Sequence, residues 1–307
     1  MNHKTVKESS EPNFDSLLDL KILLYLLIIL FHMEIEHKKT EEEVVNLTNQ
    51  PNSIKSLIHD FKTLRIKAGS VIIMHSSLSE IGWTIGGPVA VIIALMKVLT
   101  SEGTLIMPTF SGDNTDPSNW ENPSVPKSWW HLIRNESPAY HPAITPTRGM
   151  GIIAETFRTW PKVLRSNHPV SSFAAWGKNA KYITKNHELT TDLGENSPLA
   201  RIYELNGQIL LIGVTHENNS SLHLAEYRSS FPKKHYILTG SAMLINNERK
   251  WVEWKELDLN SDDFDQMGKD FESNINYVPG RVGLTEARLI SQQKIVDFAK
   301  EWFNKNR

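Results

Sequence analysis

Two short segments of this 307-residue chain carry residue types that could move a proton. In the segment RSNHPVSSF, His168 directly precedes Pro169, and a proline holds the residue before it in an extended conformation. In SSLHLAEYR, residues 220–228, His223 and Glu226 are three positions apart and would share one face of a helix. An imidazole, with an unperturbed pKa near ~6.5, is the usual base at neutral pH. Both histidines are therefore candidate catalytic residues.

The His-x-x-Glu pair is open to three interpretations: a carboxylate–histidine dyad, half of a metal site, or an exposed pair on a helix. A metal held by His168, His223 and Glu226 is conceivable, but the His-Glu-x-x-His pattern of zinc proteases is absent. The Gly-x-Ser-x-Gly pattern of serine hydrolases is absent too. The chain has no cysteine, which excludes disulfides, thiolate metal sites and a cysteine nucleophile. We therefore expect an enzyme without a metal.

Residues 70–99 predict an anion-binding loop. Val71–Met74 is an apolar run typical of a buried strand, and a polar loop separates it from an apolar helix that begins near Pro88. The loop residues of interest are His75, Ser76, Ser77, Gly86 and Gly87. The free N–H groups and the dipole at such a helix start favour an anion, although neither nucleotide-loop pattern is present. The alternative is an ordinary strand–helix connection with a tight turn.

Strands and helices alternate from about residue 54 onward, which predicts an α/β sheet covered on both faces. Apolar runs at 71–74, 104–108, 172–177 and 208–214 predict buried strands. Residues 53–64 and 286–303 have the apolar spacing of amphipathic helices. Residues 243–257 predict a hairpin that turns at Asn246-Asn247, a small β region appended to the sheet.

The composition is that of a globular protein, with 40% hydrophobic and 22% charged residues. A net charge of −2 gives no basic excess for binding nucleic acid. The apolar segment 22–31 is well short of the ~20 residues that span a bilayer. We interpret residues 1–52 as an extension, either packed on the body or preceding a native start at Met33, and residues 53–307 as the catalytic domain. A cytoplasmic protein is expected, with no membrane partner unless the segment 22–31 is a native and exposed part of the protein.

Five segments in order resemble the aminoglycoside 3-N-acetyltransferase family over roughly residues 54–303. They are HSSLSEIGWTIGGPVAVIIAL, TPTRGMGIIAETF, RSNHPVSSFAAWG, GENSPLARIYELNGQILLIGV and SSLHLAEYR. The resemblance implies a three-layer α/β/α sandwich around a central mixed sheet, distinct from the GCN5-type fold. It implies acetyl-CoA as the donor and the 3-amino group of a 2-deoxystreptamine aminoglycoside as the acceptor, with antibiotic resistance as the result.

The resemblance also suggests a role for individual residues. The coenzyme A contacts would be His75, Ser76, Ser77, Leu78, Gly86, Gly87 and, in the Thr-Arg-Gly-Met-Gly segment, Arg148. His168 would be the general base, with Glu226 orienting it and His223 beside them. The acidic residues Asp113, Asp192 and Glu195 would attract a polycationic acceptor.

The donor is better defined by this resemblance than the acceptor. An N-acetyltransferase acting on another amine, a coenzyme A-binding homologue without turnover, and a metal-assisted amidohydrolase are the alternatives. Because no cysteine can carry the acetyl group, direct transfer between two bound substrates is expected. A monomer and a homodimer are both compatible with the sequence.

Overall fold

The computed structural model describes residues 39–307, so the apolar segment 22–31 lies outside the described residues. Its strands are β1 (Val71–Ser76), β2 (Thr104–Pro108), β3 (Leu164–Arg165), β4 (Phe173–Gly177), β5 (Gln208–Ile212), β6 (Tyr236–Ile245), β7 (Glu248–Leu257), β8 (Gly280–Val282) and β9 (Thr285–Ser291). The first helices are α1 (Glu41–Leu47), α2 (Ile54–Thr63), α3 (Leu78–Ile81), α4 (Gly87–Leu99), α5 (Trp130–Glu136) and α6 (Gly151–Arg158). The later helices are α7 (Ala180–Thr184), α8 (Pro198–Glu204), α9 (Ser221–Arg228), α10 (Phe264–Asn274) and α11 (Gln292–Asn306).

Seven strands form one mixed sheet in the order β3-β4-β2-β1-β5-β9-β8. The three central strands are parallel, β1 pairing with β2 on one side and with β5 on the other. The strands outside them run antiparallel to their neighbours. The carboxyl ends of β1, β2 and β5 therefore meet at one edge, where sheets of this kind place their ligands.

Alternate residues of the central strands pack into two cores, one on each face of the sheet. Ile73 and Leu211 point to one face, against the apolar sides of α8, α9 and α11. Ile72 and Leu210 point to the other, against α2, α4 and α6. Burial on both faces is why these strands are almost continuously apolar. The predicted central mixed sheet between helical layers is confirmed.

The hairpin β6–β7 is a separate two-stranded sheet, as predicted. Asn246 and Asn247 form its turn, with φ values of 53° and 64°. Ile245 pairs with Glu248 directly across it. Two central residues with positive φ are the requirement of the common two-residue hairpin turn, which asparagine tolerates well.

The predicted helix at 286–303 is wrong over its first part. Residues Thr285–Ser291 are strand β9, which pairs antiparallel with β5, and the helix begins at Gln292. The side chain of Ser291 caps this helix by accepting from the N–H of Lys294. This segment forms a strand because β5 would otherwise leave its backbone groups unpaired on that side. Local periodicity does not reveal this pairing.

The boundary placed between residues 52 and 53 remains a prediction. Residues 41–307 form one compact unit in the structure. Asn52 lies within it and donates from Nδ2 to the carbonyl of Ile81 at 2.9 Å. Thr48 accepts from the N–H of Trp83 at 2.9 Å. Residues on the extension side of that boundary thus contact the body.

Candidate active site

The polar loop after β1 starts at the carboxyl end of the parallel strands. Ser76 is level with Ile212 of β5, and the N–H of Ser77 donates to the Ile212 carbonyl at 3.0 Å. Ser77 is also the residue before α3, which begins at Leu78, and its hydroxyl is 3.1 Å from that of Ser79. His75 and Ser76 are consequently held at the edge where β1 and β5 both end.

Strand β1 extends through His75 and Ser76, which the sequence analysis placed in the loop, and His75 is a buried histidine near the end of that strand. Burial is the main cause that lowers its pKa to about 3, and the nearby charge of His223 lowers it further. The structure therefore brings the loop after β1 close to helix α9.

His223 and Glu226 form a hydrogen-bonded dyad on one face of α9. Nδ1 of His223 is 2.5 Å from Oε2 of the carboxylate. The second oxygen of Glu226 accepts from Nη1 of Arg307 at 2.5 Å and from the N–H of Asn260 at 3.1 Å. The Glu226 side chain is fully buried, and His223 keeps 17% of its side-chain surface exposed. This is the arrangement of a base that a carboxylate orients and whose ring is partly exposed.

The bond to Glu226 determines which nitrogen of His223 can act. A carboxylate only accepts hydrogen bonds, so Nδ1 carries the proton in the neutral ring. Nε2 is then the unprotonated nitrogen, free to take a proton from a substrate.

His168 has the opposite arrangement. Its Nδ1 accepts from the N–H of Val170 at 3.2 Å and of Ser171 at 2.8 Å, so its proton is on Nε2. The ring is fully buried, and burial lowers its pKa, an effect that Asp192 partly opposes. His187 covers it at 4.7 Å between ring centroids. His168 thus shapes the loop before β4 and has no open acceptor nitrogen in this conformation.

The structure does not bring His168 and Glu226 together. Within residues 39–307, the side-chain hydrogen bonds of Glu226 run to His223, Arg307 and Asn260. Glu226, which was expected to orient His168, is hydrogen-bonded to His223 instead.

Asp192 is buried in a network beside His168 and is not open to solvent. Its oxygens accept from the hydroxyls of Ser171 at 2.8 Å and Tyr227 at 2.7 Å. Tyr227 also accepts from the N–H of Leu257 at 3.4 Å, which ties the end of β7 to α9. Burial, followed by the charge of Asp192, raises the pKa of the Tyr227 hydroxyl. Asp192 therefore links three segments around the site.

Glu256 is a site residue that the sequence analysis missed. It lies on β7, accepts from the indole N–H of Trp254 at 2.8 Å, and has its pKa raised to about 8 by burial and by Asp192. The ring of Trp254 in turn packs edge-on against His168, with 5.9 Å between the ring centroids. Within residues 39–307 Glu256 has no ion pair with a basic side chain, so a carboxyl group held beside Asp192 would gain from a cationic ligand. No local motif marks it, because Glu256 is one of several acids on an exposed hairpin.

The other two acids predicted to bind the acceptor are paired with arginines. Asp113 forms an exposed ion pair with Arg148, the residue predicted to contact phosphate. Glu195 accepts two hydrogen bonds from Arg228, at 2.7 and 2.9 Å. A ligand that binds these acids would have to compete with those arginines.

The predicted anion loop has the expected glycine turn and helix start, but not the free N–H groups. Gly86 precedes α4 with φ 83° and ψ 7°, the left-handed region that favours glycine, and no side chain caps the helix. The N–H of Gly87 already donates to the carbonyl of Thr84 at 2.9 Å, and Pro88 has no N–H, so the first two positions of the helix offer no donor to a ligand. The segment that contains Arg148 comes near as well, since a Cβ built on Gly151 would lie 3.8 Å from the Ser76 carbonyl oxygen. The contacts of this loop, Gly87 included, with coenzyme A remain predictions.

In the range 39–307 no group of three or more His, Asp or Glu side chains is placed to hold a metal ion. No helix of the same range is long and apolar enough to cross a membrane.

A mixed sheet with a dyad at the ends of its parallel strands has clear relatives among known proteins. The sequence profile of the aminoglycoside 3-N-acetyltransferase family matches residues 73–304, so the chain belongs to that family and is an acyltransferase. It is 44% identical to the SPbeta prophage-derived aminoglycoside N(3')-acetyltransferase-like protein YokD of Bacillus subtilis, over 86% of this chain and 97% of that protein. It is 31% identical to aminoglycoside N(3)-acetyltransferase III of Pseudomonas aeruginosa, over 83% and 94%.

Solved structures agree with the fold. The crystal structure of YokD from Bacillus subtilis superposes with a TM-score of 0.84, at 44% identity and over 86% of this chain and 98% of that one. The structure of AAC-IIIb in a binary complex with CoASH superposes with a TM-score of 0.75 at 26% identity, over 83% of this chain and 97% of that one. The structure of AAC-VIa bound to sisomicin superposes with a TM-score of 0.74 at 27% identity, over 82% of this chain and 97% of that one. The expected difference from the GCN5-type fold is confirmed.

Proposed function

We propose that the protein transfers an acetyl group from acetyl-CoA to the 3-amino group of a 2-deoxystreptamine aminoglycoside. The observation that carries this proposal is the His223–Glu226 dyad, which lies at the ends of the parallel strands beside the loop after β1. Support comes from the family and from two of its members, one solved with CoASH and one with sisomicin. Antibiotic resistance in the cytoplasm is the corresponding biological role.

In this mechanism His223 is the general base. The neutral amine attacks the acetyl carbon, a carbon–nitrogen bond forms, and the carbon–sulfur bond breaks. Nε2 of His223 takes the proton that the amine loses and passes it to the leaving sulfur, so no acetyl-enzyme is needed. Glu226 holds the productive tautomer and stabilises the imidazolium that forms. The hydroxyl of Ser77 and the loop that leads into α4 are the expected contacts of the donor.

A second candidate function is the acetylation of an amine other than an aminoglycoside. One observation favours it: Asp113 and Glu195 are each paired with an arginine, and Asp192 is buried. A less cationic acceptor would not need to displace those arginines. The donor and the chemical step would be unchanged.

The experiment that tests the function is a thiol-release assay with acetyl-CoA. Gentamicin-like, kanamycin-like and neomycin-like acceptors are compared with simple amines, and the products are identified by mass spectrometry. Acetylation at the 3-amino group supports the first proposal. Turnover confined to other amines supports the second, and no turnover with any amine contradicts both. A stable acetyl-enzyme formed with acetyl-CoA alone would contradict direct transfer.

Two matched variants test the base. His223→Gln removes the base, and a fall in kcat/KM of about 10²–10⁴ is expected. His168→Asn keeps an acceptor for the N–H groups of Val170 and Ser171, so a fall of less than about tenfold is expected. If the folded His168→Asn variant loses as much activity as His223→Gln, His168 is the base after all.

A further inference from the structure

Arg307 binds the oxygen of Glu226 that His223 leaves free. Its Nη1 donates to Oε1 at 2.5 Å, while Oε2 is 2.5 Å from Nδ1 of His223. The rest of the guanidinium is engaged too. Nε and Nη2 donate to the Asp263 carboxylate at 2.8 and 2.5 Å, and Nη2 donates to the Asn260 carbonyl at 2.8 Å. Arg307 thus reaches the dyad only through Glu226.

Aromatic side chains hold the guanidinium in place. Its central carbon is 4.0 Å from the ring centroid of Phe303 and 5.4 Å from that of Phe231. Phe264 contacts both Arg307 and His223. Its ring centroid is 5.9 Å from the central carbon of Arg307 and 4.9 Å from the ring centroid of His223. The Arg307 side chain is 12% exposed. A planar cation with four hydrogen bonds and stacked rings has little freedom to leave.

The burial of Glu226 makes this cation significant. Its carboxylate is fully buried, and a buried charge that has lost its partner is strongly destabilised. Arg307 keeps its positive charge at every relevant pH. With Arg307 present, the carboxylate has a permanent counter-ion both before and after His223 takes a proton.

We propose that Arg307 is a positioning residue of the acetyl transfer, which holds the buried Glu226 carboxylate in place as its counter-ion and acts on His223 through it. The inference rests on the proposed function for its catalytic meaning. Its physical content, the coupling of Arg307 to His223, applies to the free protein as well.

The charged and titratable groups facing the dyad come from several elements. They are His75 on β1, Lys234 after α9, Asp263 before α10 and Arg307 after α11. When the positive charge of Arg307 is removed, the negative charge of Glu226 faces His223 and Lys234 without that counter-ion. The imidazolium form of His223 then becomes more favourable.

The test follows the His223 imidazole by NMR while the pH of the free, full-length protein is varied. In Arg307→Gln the titration midpoint of His223 is expected to move to higher pH by about half a unit or more. Arg307→Lys keeps the charge, and its midpoint is expected within about 0.3 units of the wild type. Lys178→Gln, which removes an exposed ion pair with Glu102, serves as the charge-matched control and should leave the midpoint unchanged.

An unchanged midpoint in folded Arg307→Gln overturns the proposal, and so does an equal shift in Arg307→Lys. If Arg307→Gln does not fold, the variant Asp263→Asn tests the proposal in its place. It leaves the charge of Arg307 less neutralised, so the midpoint should move to lower pH, and no movement overturns the proposal.

Kinetics add a separate readout. With any amine that the enzyme accepts, the acidic limb of the kcat/KM profile should move with the NMR midpoint, and Arg307→Lys should restore it. A normal limb in Arg307→Gln contradicts the role of Arg307 and leaves the proposed function intact. If wild-type enzyme acetylates no amine, the proposed function fails, and the NMR titrations still decide the coupling.

Discussion

His168 and His223 differ in the partner of Nδ1, and this difference separates their roles. Two backbone N–H groups donate to Nδ1 of His168, whereas Nδ1 of His223 donates to a carboxylate. The first ring has its free proton on Nε2, and the second has its free lone pair there. A base needs the lone pair. The residue beside the proline is thus better suited to shaping its loop, and the residue in the helix to chemistry.

At the same scale, Glu256 should make the stability of the protein depend on pH. Its pKa rises from 4.5 to about 8 on folding, mainly through burial and then through Asp192. Between those values the folded state holds a proton that the unfolded state releases, so this contribution falls as pH rises. Between about pH 7 and 8.5 the wild type should lose about 1 kcal/mol, or roughly 2–4 °C in Tm. Glu256→Gln should remove that loss.

Melting curves across this range check the expectation. The range avoids the opposite contribution of His75, whose depressed pKa makes the folded state gain stability only up to about its unfolded value of 6.5. Glu253→Gln on the same strand is the control, because Glu253 is exposed. Equal slopes of Tm against pH in the wild type and in Glu256→Gln would contradict the assignment.

At the scale of elements, the turn after β5 depends on the absence of a side chain. Gly213 has φ +64°, and a Cβ there would lie 2.3 Å from Cβ of Glu80 and 3.2 Å from Thr285. Gly213→Ala therefore adds a clash to backbone strain, and a loss of about 3 kcal/mol in the free energy of unfolding is expected. Urea unfolding measures it.

Gly69→Ala is the matched control for that experiment. Gly69 has φ +82° but nothing within 4 Å of an added Cβ, so only the strain of about 1–2 kcal/mol should appear. Similar losses in the two variants would show that the packing of β5 against α3 and β9 is looser than described.

At the scale of the whole molecule, the compact unit from residue 41 to 307 has a core on each face of its sheet. A chain that begins at Met33 should therefore fold, with a Tm within about 2 °C of the full-length chain. Acetyl transfer should be unchanged as well, because every residue of the candidate site follows residue 70. Calorimetry and the thiol-release assay test this, and a large loss of either property would assign a structural role to the residues before Met33.

Much of the architecture follows from the sequence alone. The apolar runs of β1, β2, β4 and β5 indicate strands buried on both faces, and Asn246-Asn247 predicts its hairpin, because these signals are local. The spacing of His223 and Glu226 is also local, since residues three apart in a helix face the same way. These features could be predicted because each depends on neighbours within a few residues.

Only the tertiary structure decides which histidine the carboxylate serves and what else holds it. Arg307 is 81 positions from Glu226, and Asp192 is 35 from Tyr227, so no local pattern relates them. Strand β9 likewise exists because β5 needs a partner, although its residues fit a helical period. Hydrogen bonds and ion pairs between distant segments depend on how the chain packs. For that reason the sequence determines the elements and the candidate residues, and the packing decides their roles.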